Sequence, residues 1–225
     1  MSLTLYLHPL ASFCWKPLIA LYENGTPFEP VIVDLADEAS RTAFFKLWPM
    51  GKFPLLQDRE RGALVPESSI IIEYLAAHHP GPADLVSTGD PARDIRLADR
   101  FYDSYVHHHM QAIVADRIRP EGKRDPFGVE QARAQLRKSY DLIEQDMADR
   151  EWAVGEAFSM ADCAAFPALF YAAKIEPFGK EHRRVSAYLN RLRRRPSVDR
   201  VVTEARPYFR FFPFWDGADD CPPPS

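Results

Sequence analysis

The chain has 225 residues, enough to bury a real core and too many for a scaffold held together by disulfides alone. Its 46% hydrophobic and 27% charged residues are the balance of a globular protein, which excludes disorder and fibrous repeats. A net charge of −4, with acidic groups outnumbering basic ones in both parts of the chain, speaks against a nucleic-acid binder, and no run approaches the ~18 apolar residues of a membrane span.

Residues 3–7 alternate and end at His8-Pro9, which predicts a short strand. A helix follows, with Leu18, Leu21 and Tyr22 at helical spacing and a stop at Asn24-Gly25. Pro17 has no backbone N–H, so the first turn of this helix is expected at residues 14–16. Residues 30–34 read as a strand, 38–47 as a helix, and 53–57 and 63–65 as two strands joined by a glycine-bearing turn. Residues 67–78 then form a helix with Ile70, Ile71, Tyr74 and Leu75 as its buried stripe. The order β-α-β-α-β-β-α makes residues 1–79 a small layered α/β domain.

Residues 80–91 are rich in Pro and Gly and read as a linker. From there to the end, 92–225, no strand pattern appears. Ala98, Tyr102, Tyr105, His109 and Ile113 form one helical stripe, and Val129, Ala132, Leu136, Tyr140, Ile143 and Met147 form another. Helices are also expected over 160–173, 182–195 and 197–205, so this part is an all-α helical bundle. Its end is aromatic: Tyr208, Phe209, Phe211, Phe212, Phe214 and Trp215 form either a lid over a cleft or a strap packed on the first domain. Pro222, Pro223 and Pro224 suggest a stiff or disordered end.

Three places carry possible chemistry. Pro54 cannot donate to a sheet ladder, so it marks an edge or a turn; a cis bond before it would turn the Phe53 backbone outward, ready to pair with an extended peptide. Glu67-Ser68 opens a helix, where unpaired amides favour a carboxylate and Glu67 offers the opposite charge, so the pair suits an α-amino acid group. The bland reading is a helix cap. Ser12 and Cys14 sit at the start of the first helix, where free amides stabilise a thiolate; the alternative there is Ser12 as a cap and Cys14 as a small buried residue.

Other features point elsewhere. The three cysteines, Cys14, Cys163 and Cys221, contain no Cys-x-x-Cys and read as neither a disulfide framework nor a zinc site. Cys163 is expected to be buried and inert, and Cys221 exposed. His107 and His109 point in nearly opposite directions at about 100° per residue, so no shared metal is expected. His109 is expected inside and His108 toward a cleft. The arginines between 183 and 195 read as a solvated helix face. The start Met1-Ser2-Leu3-Thr4 lacks a basic and apolar leader, and a cytoplasmic protein is expected.

Five segments in this order resemble the cytosolic glutathione transferase superfamily over nearly the whole chain. They are residues 8–16 with Ile19-Ala20-Leu21, Trp48-Pro49-Met50-Gly51-Lys52-Phe53-Pro54-Leu55-Leu56, residues 67–75, Ser159-Met160-Ala161-Asp162 with Pro167, and residues 188–197. The resemblance implies a thioredoxin-like first domain, an all-α second domain and glutathione as co-substrate. It also implies a cis Phe53–Pro54 bond, with the Phe53 backbone pairing to the cysteinyl part of glutathione. Glu67 and Ser68 would hold the γ-glutamyl end, and Lys52 the glycyl carboxylate. Ser159 and Asp162 would form a reciprocal capping box. A homodimer and a small electrophilic substrate follow from the same likeness, with Tyr105, His108 and Met110 as candidate lining of the electrophile pocket.

The sequence departs from the family at the activating residue. Relatives place it three positions before the one matching Cys14, where this chain has Ala11. Ser12 is the leading substitute and Cys14 the second. The alternatives are activation by helix amides alone, a glutathione-binding protein with little catalysis, and a thiol-disulfide reductase using Cys14.

Overall fold

The computed structural model describes residues 2–217. Four strands, β1 (Leu3–Leu7), β2 (Glu29–Ile32), β3 (Leu55–Asp58) and β4 (Ala63–Pro66), form a sheet in the order β2-β1-β3-β4. β1 runs parallel to β2 and antiparallel to β3, with Leu5 opposite Leu56. The period-2 alternation of β1 divides its side chains between two layers. Leu3, Leu5 and Leu7 join the main core, while Tyr6 packs with Phe44, Leu55 and Val33 in a second cluster.

That second cluster is the underside of α2 (Glu38–Leu47), which covers one sheet face. The other face carries α1 (Ser12–Glu23) and α3 (Ser68–His78), as expected for the layered first domain. α1 begins two residues before its expected first turn, and Pro17 lies inside it. Pro17 is the sixth residue of α1 and cannot donate to the Phe13 carbonyl, but α1 is buried along most of its length, so tertiary packing outweighs the local cost.

The helical part consists of α4 (Asp90–Phe101), α5 (His108–Arg117), α6 (Pro126–Asp146), α7 (Met160–Ile175), α8 (Arg183–Arg193) and α9 (Pro196–Ala205). Its centre is α7, with thirteen consecutive buried residues from Met160 to Ala172. The expected capping box starts it: Ser159 N–H donates to Asp162 Oδ2 at 2.9 Å, and Ala161 N–H donates to Ser159 Oγ at 3.3 Å. Asp162 also accepts from Ala153 N–H at 2.9 Å and from Tyr188 O–H at 2.6 Å, so this one carboxylate ties the loop before α7 to α8.

The first long helix departs most from expectation. Between α4 and α5 the rod passes through a π-helical stretch, Tyr102–His107. Across it Val106, His107 and Met110 face inward in place of Tyr105 and His109, while Tyr102 and Ile113 of the expected stripe stay buried. Tyr105 is exposed, His109 is half-buried, and the inward histidine is His107.

The arginine segment is also more integrated than a solvated face. Arg193 is buried beside Asp199, and Arg195 grips Glu23 of α1 with two hydrogen bonds of 2.9 and 2.6 Å while stacking on Phe158. The aromatic end is a strap. A 3-10 turn, Arg206–Phe211, buries Phe209 against Trp15, Phe170 and Trp215, and Phe212 packs on Tyr171. Cys221 and Pro222–Pro224 lie outside the described residues.

Candidate functional site

A cavity of about 800 Å³ opens between the sheet domain and the π-helical rod. Three loops at the edge of the sheet form one wall. Ala11, Ser12 and Phe13 come from the start of α1, Lys52, Phe53 and Pro54 from the turn into β3, and Glu67 and Ser68 from the start of α3. Six of the seven residues singled out in the sequence therefore meet in one place. The seventh, Cys14, does not line it.

Phe53–Pro54 is cis, as the resemblance implied. Among the described residues no hydrogen bond engages the Phe53 backbone N–H. Glu67 precedes α3 at φ 72°, ψ 121° and makes no side-chain cap bond, so the helix-cap reading fails and its carboxylate stays exposed. Left-handed φ is costly for a residue with a Cβ, and such positions cluster at binding sites. Ser68, the first helical residue, is buried, while Lys52 is exposed. The wall thus combines a carboxylate, an ammonium, a hydroxyl and free helix amides, the groups that suit a peptide bearing both charges.

Ser12 and Cys14 diverge although they are two residues apart. Ala11 is the helix cap and contributes no side-chain bond, so Ser12 is the first helical residue and its hydroxyl is not used as a cap. Ser12 Oγ instead hydrogen-bonds with His107 Nε2 across the cavity. Cys14 lies on the opposite side of the turn with no exposed surface. Burial pushes its thiol up to about 12, offset only in part by the His8 backbone. Cys163 is equally buried and its thiol is also pushed well up by burial.

The rod supplies the second wall, with Arg100, Asp103, His107 and Gln111. The expected lining residues are not there: Tyr105 and His108 are exposed and Met110 is in the core, because the π-helical stretch rotates the face that meets the cavity. The four polar residues step by three, four and four, a helical stripe in the sequence that was masked by following the apolar positions alone. Burial first, then the nearby Lys16 and His108 charges, push His107 down to about 4, so its imidazole is neutral at pH 7. Its ring packs 4.0 Å from that of Phe13.

Beneath this wall lies a buried ion cluster that no local pattern announces. Lys16 Nζ of α1 is 2.8 Å from Asp103 Oδ2, 2.8 Å from Asp99 Oδ1 and 2.9 Å from Ser69 Oγ. Ser69 O–H donates to Asp99 Oδ2 at 2.7 Å, and Arg100 reaches Asp103 at 2.9 Å. Burial holds the Asp103 carboxyl above its usual range despite Lys16. The cluster joins α1 and α3 to the rod. Among the described residues no group of His, Cys, Asp and Glu is placed to hold a metal, and no helix is long and apolar enough to cross a membrane.

Known proteins share both halves of this arrangement. The family described as "Glutathione S-transferase, N-terminal domain" matches residues 5–83, and "Glutathione S-transferase, C-terminal domain" matches residues 126–191. The chain belongs to the cytosolic glutathione transferase superfamily. Among its curated relatives is the glutathione S-transferase GstA of Escherichia coli O157:H7, 28% identical over 191 residues that span 82% of this chain and 90% of the relative. Among solved structures, the glutathione transferase URE2P8 of Phanerochaete chrysosporium, with oxidized glutathione, superposes with a TM-score of 0.83 at 21% identity, covering 93% of this chain and 97% of the other. A glutathione S-transferase of Methylobacillus flagellatus with glutathione bound gives a TM-score of 0.80 at 25% identity, covering 89% and 98%. This superfamily member thus carries the thioredoxin-like domain and the helical bundle of its relatives.

Proposed function

We propose that this glutathione transferase binds glutathione along the sheet-side wall and holds its thiol as a thiolate through the Ser12 hydroxyl, for attack on a small electrophile entering beside the rod. Superfamily membership makes it an enzyme with glutathione as its co-substrate. The observation that carries the reading is that Ser12, Lys52, Phe53, Pro54, Glu67 and Ser68, from three separate segments, line one cavity while Cys14 does not. The Phe53 backbone would pair with the cysteinyl part of glutathione. Glu67 and Ser68 would take the ammonium and carboxylate of its γ-glutamyl end, and Lys52 its glycyl carboxylate.

A thiol must lose its proton before it attacks, and here the proton passes to water. The Ser12 O–H and the unpaired amides at the start of α1 favour the anion that remains. A Cys14-dependent disulfide reductase fits poorly, because that thiol is buried and its pKa is raised to about 12. One observation favours a second reading, glutathione binding with little catalysis: Ala11 stands in the cavity where relatives carry the activating group. A homodimer in the cytoplasm accords with the resemblance to the family.

Retention on immobilised glutathione, combined with turnover of a panel of aryl halides, enals, peroxides and disulfides, separates the two readings. Binding with turnover supports the transferase. Binding without turnover supports the second reading, and no retention refutes both.

A further inference from the structure

Ser12 and His107 are 95 residues apart in sequence and come from opposite walls, yet their side chains meet. A serine hydroxyl has one proton to give and two lone pairs. If that proton goes to His107, none is left for a sulfur; if His107 is the donor, the hydroxyl proton is free. An anionic acceptor holds a hydroxyl proton more strongly than a neutral nitrogen does, so a bound thiolate selects the second arrangement.

We propose that His107 is a positioning residue whose neutral Nε2–H donates to the Ser12 hydroxyl oxygen and so directs the Ser12 O–H at the sulfur of bound glutathione. The inference rests on the reading of Ser12 given above. The surroundings favour a neutral donor over a proton relay through the serine. Lys16 on α1 and His108 on the same rod oppose a positive imidazole, and burial adds to both. Asp103 lies one turn back on the rod, but it is already paired with Lys16 and Arg100. Glu67, on the sheet-side wall, is exposed. A group that titrates near 4 accepts a proton poorly from a thiol. The Phe13 ring against the imidazole limits its rotation.

The test is the pKa of the bound glutathione thiol, read from thiolate absorbance, together with the affinity for S-methylglutathione. His107→Met keeps the buried volume without a donor, and His107→Gln restores an N–H at a similar reach. His107→Met is expected to raise the thiol pKa by about one pH unit, a tenfold loss of thiolate below that pKa, with S-methylglutathione affinity within about twofold of wild type. His107→Gln should return most of the loss. In a Ser12→Ala background His107→Met should change nothing further, because it acts only through Ser12.

A wild-type thiol pKa in His107→Met, with a raised one in Ser12→Ala, would overturn the role of His107 and leave that of Ser12 standing. An equal effect of His107→Met with and without Ser12 would overturn it too. No change in either single variant refutes the reading of Ser12 itself. Should His107→Met fail to fold, His107→Gln alone decides, since a strongly raised thiol pKa in a folded donor variant contradicts the proposal.

Discussion

The two walls of the cavity are built by different means. The sheet-side wall is made of short local signatures, each readable within a few residues: a proline that cannot join a ladder, a helix start carrying Glu67-Ser68, a strand-to-helix turn carrying Ser12. The rod-side wall owes its composition to a π-helical stretch and to Lys16, which reaches across from α1 to Asp99 and Asp103. The first wall offers exposed charges and unpaired backbone groups to a ligand, whereas the second satisfies its charges internally. Changes to the first should therefore alter glutathione binding with little effect on stability, and changes to the second should cost stability first.

The largest effect expected tests this asymmetry at its strongest point. Lys16→Met leaves Asp99 buried without its cation and Asp103 with Arg100 alone, and should destabilise the protein by about 3–5 kcal/mol in urea unfolding. A loss below about 1 kcal/mol would mean that the cluster does not hold the walls together. Phe209→Ala removes the strap's buried anchor and should cost about 3 kcal/mol or more. It should leave glutathione affinity unchanged, since no strap residue lines the cavity. A changed affinity at full stability would return the strap to the role of a lid.

Acid should act on the rod-side wall more gently. The folded-state pKa of His107, about 4, lies below its ordinary value of 6.5. The folded state therefore binds this proton less readily than the unfolded chain. The stabilisation is present in full above pH 6.5 and is lost as the pH falls through 4. The loss is on the order of 3 kcal/mol over that window, and it should be missing from the His107→Met variant. Parallel pH-stability curves for the two proteins would show that the histidine is not held neutral by the fold. The smallest stability effect belongs to the other wall: Glu67→Gln should weaken glutathione binding about tenfold yet move the unfolding midpoint by no more than about 0.5 kcal/mol. Equal losses of stability at Glu67 and Lys16 would erase the distinction between the walls.

The same contrast explains what could be read in the sequence. The strand and helix order of the first domain was legible because alternation and glycine turns are local, and so was the capping box at Ser159 and Asp162. The long first helix of the second part was legible as a helix but not in its phase. Following the apolar stripe through Tyr105 and His109 assumes 3.6 residues per turn, and the π-helical stretch breaks that assumption. His107, Asp103 and Arg100 were hidden by this slip, and the tie between Lys16 and the two aspartates by its long sequence separation. The early start of α1 was missed because Pro17 penalises a helix locally, while burial against α7 and α3 decides the outcome.

The function proposed for this site depends on Ser12, and not its near neighbour Cys14, stabilising the thiolate of bound glutathione. Titration of the bound thiol in Ser12→Ala and Cys14→Ala, each saturated with glutathione, tests it most directly. Ser12→Ala is expected to raise the thiol pKa toward the roughly 8.5 of a free cysteine thiol, and Cys14→Ala to leave the wild-type value. An unchanged pKa in Ser12→Ala, or a raised one in Cys14→Ala alone, would contradict it.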